Sequence, residues 1–296
     1  MTRRLDWATL LVLAGCSSHP APGALEDSAL AQAAASGRQS LEFSRLKQAA
    51  REYRQAYTLA LARDDQQAIG DTGYNLAVVQ LADGNPAEAL RTALQTRDAL
   101  AARAAPSFAE LDLVQSAALH RLGRDADADA LATRAQATAG SPETLARASY
   151  VRGLIADGRG DAAGLDAALA RFGALAKLPA DSQADFEELT ARLDLLRGQD
   201  RQAAARAQRA ADLHRAQLNY RAMADALALA GQAMQRAGSP QEAAKLYLQA
   251  GGSAAARGDA ASAARWLKQA TRPGVAAATQ RAARDALAAL PKPTAR

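Results

Sequence analysis

The chain has 296 residues, a formal charge of +5 and a composition 49% hydrophobic but only 4% aromatic. Alanine makes up more than a quarter of it, and alanine is the best helix former. Few segments alternate in the manner of strands, so a β or mixed fold is excluded. Basic residues are interspersed with acidic ones and no aromatics interleave with them, which excludes nucleic acid as a partner despite a pI of 9.6.

Residues 1–20 read MTRRLDWATLLVLAGCSSHP. Arg3 and Arg4 precede a short apolar run from Trp7 to Ala14. A helix needs roughly 20 apolar residues to span a bilayer, so the run reads as a signal peptide. Its end, Leu13-Ala14-Gly15-Cys16, closely resembles the lipobox of bacterial lipoproteins. The resemblance implies that residues 1–15 are removed and that Cys16 carries the lipid. Residues 16–24 would then tether the folded part to a membrane. Ser17 in place of Asp after the lipidated cysteine implies sorting to the outer membrane, with the protein facing the periplasm. Cys16 is the only cysteine, so internal disulfides are excluded.

Residues 25–36 and 39–63 read as opening helices, the second with a broad apolar face that includes Ala49, Tyr53, Ala56 and Tyr57. At 84–90 the chain reads GNPAEAL, and at 238–244 GSPQEAA. Glycine closes a helix, Asn85 or Ser239 caps the next, Pro86 or Pro240 takes its first position, and Glu88 or Glu242 completes a capping box. Related corners follow Gly123, Gly160, Gly198 and Gly258, and the gaps from Gly84 to Gly238 are 39, 37, 38 and 40 residues. Gly140-Ser141-Pro142-Glu143, Leu178-Pro179-Ala180-Asp181 and Thr271-Arg272-Pro273-Gly274 are further stop-and-restart signals. Residues 276–290 form a last alanine-rich helix, and 291–296 a tail.

A fixed period of this size is the mark of stacked helix pairs. Tyr74-Asn75-Leu76-Ala77 with Gly84 and Ala89-Leu90 resembles the tetratricopeptide repeat. So does Ala230-Gly231 with Gly238, Ala243, Tyr247 and Ala250. The resemblance implies an all-α, right-handed solenoid of about five to six helix pairs over residues 25–290. The family's period of 34 is shorter than the one found here, and a HEAT-like solenoid is the alternative.

The sequence offers no metal-ligand spacing, phosphate loop or nucleophile elbow, so neither an enzyme nor a cofactor is expected. His214 reads as a surface helix residue. What remains is a concave groove for a protein or peptide segment. Carrying over the family's groove positions gives Asp71, Tyr74, Val78, Glu110, Leu113 and His120. Further along come Arg147, Tyr150, Leu154, Asp185, Glu188, Arg192, Asp225 and Gln232. Tyr74 and Tyr150 stand out as anchors in a chain poor in aromatics. The resemblance thus implies an envelope scaffold or assembly factor; the alternatives are a regulator of a peptidoglycan-active enzyme and an enzyme of the periplasm.

Overall fold

The computed structural model describes residues 28–43, 45–175 and 182–291. The lipobox with Cys16, the tether, the corner at 178–181 and residues 292–296 lie outside the described residues. Every described regular element is an α-helix, fourteen in all: α1 Ser28–Glu42, α2 Leu46–Arg63, α3 Gln66–Ala82, α4 Pro86–Ala101, α5 Ala109–Arg121, α6 Asp125–Thr138 and α7 Pro142–Gly158, then α8 Ala162–Gly173, α9 Ser182–Leu196, α10 Asp200–Ala216, α11 Tyr220–Arg236, α12 Pro240–Ala256, α13 Ala260–Ala270 and α14 Ala277–Ala288. Each helix packs on the next, and α3, α5, α7 and α9 also touch in succession. That is an α-solenoid, with the odd-numbered helices on its inner side. No described helix is long and apolar enough to cross a membrane.

One corner is used again and again. Gly84, Gly123, Gly160, Gly198, Gly238 and Gly258 all have positive φ, the conformation glycine adopts without steric cost. The next residue then donates its N–H to the carbonyl five positions back; the bond from Asn85 to Gln80 measures 2.9 Å and that from Ser239 to Met234 is the same. This closes the dangling carbonyls of the outgoing helix. Asp64 (φ 59), Ala104 (φ 54) and Leu218 (φ 58) take the glycine's place at three helix ends, where Asp65 donates to Ala60, Ala105 to Leu100 and Asn219 to His214. A count made on glycines misses all three, and the described helices form seven pairs rather than five or six.

The long period has a local cause. Helices α10, α11 and α12 are each 17 residues long, and a three-residue corner follows each, so a helix pair takes 40 residues. The capping boxes are not made. Asn85 turns its amide to the Asp83 carboxylate at 3.0 Å, Ser239 makes no cap bond, and Glu88 pairs with Arg91. Side chains that do cap are Asp65, Ser141, Asp161, Asn219 and Asp259.

The first break falls later than the expected 37–38: α1 runs to Glu42 and α2 starts at Leu46. Gly37 is no helix stop. It sits inside α1 against Tyr53 of α2, where an added Cβ would lie 3.0 Å from the ring. Gly231 of α11 does the same for the Tyr247 ring of α12 at 3.2 Å. The core is made largely of alanine: Ala49, Ala56, Ala93, Ala132, Ala207 and Ala250 are all fully buried. Such residues add little apolar area each, but they let helices approach until dispersion contacts are dense. Larger side chains fill the gaps between pairs, with Phe172, Leu165 and Leu189 among the most buried. Each contributes about 1.5–3 kcal/mol on burial.

Candidate functional site: the concave well

The inner helices enclose a well of about 910 Å³. Helix α3 contributes Val78 and Leu81, α7 Tyr150 and Leu154, α9 Glu188 and Arg192, and α11 Asp225 and Gln232. Seven of the fourteen groove positions expected from the sequence, Val78, Tyr150, Leu154, Glu188, Arg192, Asp225 and Gln232, thus line one space.

The other seven are not among its lining residues. Tyr74 is half-buried and meets Phe108 edge-on, ring centroids 6.2 Å apart, packed against the core of α2–α4; burial raises its phenol, with Arg147 acting the other way. Asp71 is exposed. Leu113 is buried with Ala109, Ala135 and Ala148. Glu110 accepts from the Thr144 hydroxyl at 2.7 Å, joining α5 to α7. His120 sits at the α5–α6 corner with its Nδ1 2.8 Å from the Asp125 carboxylate. Arg147 acts on the Tyr74 phenol, and Asp185 adds to the negative field at Tyr150; neither lines the well.

A charged cluster is built into the wall. Tyr150 donates to Glu188 Oε2 at 3.1 Å, and Arg192 donates to Glu188 Oε1 through Nη2 at 2.7 Å and through Nε at 3.1 Å. The remaining Nη1 reaches Asp157 at 2.7 Å. Glu188 is only 3% exposed, and so is His214 of α10, whose Nε2 lies 3.9 Å from the same carboxylate. His214 is therefore an interior residue between α9 and the next pair, not the surface residue its neighbours in sequence suggest. Burial by itself pushes the Glu188 carboxyl up; Arg192 and His214 more than reverse this and bring it to about 2. For Tyr150 burial and the charges of Glu188 and Asp185 act together, and the phenol is raised well above its ordinary value.

The opposite wall is unlike the first. Asp225 faces the water of the well, yet protein surrounds it and lifts its carboxyl, with the Glu188 charge adding to the rise. Arg221, Arg265 and Arg121 pull the other way. Among the described residues, Asp225 has no cation within ion-pair distance, so these arginines act as a field and not as partners. Arg265 lies over the Trp266 ring at 5.2 Å, and Arg121 donates to the Leu81 carbonyl at 2.6 Å. Sequence reasoning missed Arg121, Arg221, Arg265 and Trp266. The signal for α13 was present: Asp185, Asp225 and Arg265 are spaced by 40, as are Arg192, Gln232 and Arg272. Continuing that register past Gly258 makes 260–270 another inner helix.

The well therefore offers cationic planes, aromatic faces and carboxamides in one open recess. Among the described residues no group of histidines, cysteines and carboxylates has the geometry to hold a metal. The chain matches no protein-family model and no curated protein. Among solved structures it is similar to a tetratricopeptide repeat protein from Parabacteroides merdae, with TM-score 0.47 and 15% identity over 88% of this chain and 98% of that one. It is also similar to the TPR2AB domain of yeast Sti1 in its complex with pHSP90, with TM-score 0.34 and 13% identity over 82% of this chain and 98% of that one.

Proposed function

We propose that this protein is a lipid-anchored scaffold of the cell envelope that binds a protein segment in its concave well. The observation that carries the reading is the lining itself. Six helices from separate repeats, α3, α5, α7, α9, α11 and α13, supply side chains to one open recess of about 910 Å³. Arg265, Trp266 and Tyr150 are of the types that dominate protein-binding energies. Gln232 and Gln269 offer both a donor and an acceptor to a peptide main chain. The Leu13-Ala14-Gly15-Cys16 lipobox supports attachment through Cys16, and Ser17 supports the outer membrane facing the periplasm. Several acyl chains on one cysteine hold a protein at a membrane far more firmly than one chain does. An assembly factor for an envelope complex fits these properties.

Site-specific photo-crosslinking in cells tests the binding face. A crosslinker at Gln232, which faces the well, should yield one discrete protein adduct, and one at Gln208, exposed on α10, should not. Equal adducts at both positions, or none from Gln232, would remove the well as the binding surface.

A further inference from the structure

A second cavity, of about 1160 Å³, lies where the two ends of the solenoid face each other. One wall comes from α2 and the end of α3, the other from the starts of α11 and α13 and the end of α12. Six cationic side chains line it against three carboxylates. All three carboxylates are already engaged: Asp83 by Asn85, Glu88 by Arg91 and Arg54, and Asp259 by Arg221 and by the N–H of Ser262. Among the described residues, Lys47, Arg51 and Arg257 have no carboxylate within ion-pair distance. Like charges brought from opposite ends of the chain therefore meet across open space.

Two buried polar atoms in this cleft lack partners. Gln80 is 5% exposed, and its Oε1 makes no hydrogen bond. Arg257 uses Nε on the Ser253 carbonyl, while its buried Nη2 has no acceptor. Leaving a buried polar group without a partner is costly, and more so when it is charged. Burial and the neighbouring Arg221 both disfavour the charged guanidinium at 257. An acceptor and a donor are thus left open in one cleft whose cations outnumber its anions two to one.

We infer that the cleft between the two ends of the solenoid is a clamp for an acidic segment of polypeptide, with Arg257 and Arg51 gripping its carboxylates from opposite walls and Gln80 reading its main chain. Charge selects the acid. The carboxamide selects the polypeptide, because it can meet a peptide N–H with its oxygen and a peptide carbonyl with its amide, whereas a phosphate offers only acceptors. Arg221 lines both the cleft and the well, so a segment gripped here continues into the recess. The inference rests to that extent on the reading of the well as a protein-binding site. A clamp of this kind makes binding depend on both ends of the solenoid being present at once.

The test uses the full-length protein in detergent and a fluorescent peptide of alternating glutamate and alanine, followed by anisotropy at low salt. Its glutamine counterpart and inorganic tripolyphosphate serve as the other probes. The glutamate peptide should bind and the glutamine one should not. Arg257→Gln and the exposed Arg51→Glu should each weaken binding by about tenfold or more, as loss of a close charge contact does. Gln80→Met should weaken peptide binding while raising the melting temperature, since it removes an orphan acceptor; a purely structural glutamine would not move the two in opposite directions. If binding falls with Arg265→Gln but ignores Arg51→Glu and Arg257→Gln, the clamp is overturned and the well reading stands. If no variant affects binding, both fall. Tripolyphosphate that displaces the peptide and binds more tightly, unaffected by Gln80→Met, would overturn the choice of a polypeptide.

Discussion

The Tyr150 hydroxyl on α7 and the Glu188 carboxylate on α9 meet at 3.1 Å, tying two inner helices together across 38 residues of sequence. Glu188 is the hub, since Arg192 and His214 converge on it as well. Removing the hub and removing a spoke should therefore differ. Glu188→Ala leaves a buried imidazole and a partly buried guanidinium, still paired with Asp157, facing a void; the loss should approach the roughly 3–5 kcal/mol typical of a broken buried pair. Tyr150→Phe removes one hydrogen bond to a charged group, about 1.5–3 kcal/mol. Urea denaturation of both variants checks the order; equal losses would mean that Tyr150 is held chiefly by packing.

The same carboxylate should dominate the acid limb of stability. Its folded value of about 2 lies below the unfolded range, so the folded state holds this proton more weakly. The stabilisation is present above the unfolded value near 4.5 and is lost as pH falls toward 2, on the order of 3 kcal/mol. Asp225 is shifted upward and works in the opposite sense, gaining stability as it takes up its proton. Melting temperature against pH should fall steeply below pH 4.5 in the wild type and more gently in Glu188→Gln. Parallel curves would show that another group controls the acid transition.

Leu218 occupies a corner position where other turns carry glycine, with φ 58 and 68% of the residue exposed. A left-handed conformation costs an L-residue about 1–2 kcal/mol, and the unfolded-state entropy of glycine returns about 0.5–1 kcal/mol of that gain. Leu218→Gly should thus raise stability by about 0.5 kcal/mol. Gly238→Val, the converse change at φ 74, should lower it by at least about 1 kcal/mol. Thermal melts of both test the corner; a Leu218→Gly protein less stable than wild type would reveal a contact made by that side chain.

Cys16→Ser should leave the helical signal unchanged and release the protein from membranes, because no other cysteine can accept a lipid. Labelled palmitate and membrane fractionation check this. Palmitate incorporated as before in the variant would remove lipidation at Cys16 from the reading.

What the sequence determined by itself is what depends on neighbours along the chain. Glycines with small polar residues after them fixed the corners at Gly84 and Gly238, because a left-handed backbone and the bond it closes are decided within six residues. The same locality explains the errors: Gly37 looks like a stop until Tyr53 is packed on it, and Leu218 does not look like one because its strain is imposed by the helices on either side. The well and the cleft lie beyond such reasoning. Gln80 and Arg257 line one cavity though 177 residues apart, and Asp225 meets the field of Arg121 from three pairs away. Each helix pair rotates slightly against the last, and only the sum of those rotations, set by how the small buried side chains let successive helices pack, decides which residues face each other across the axis.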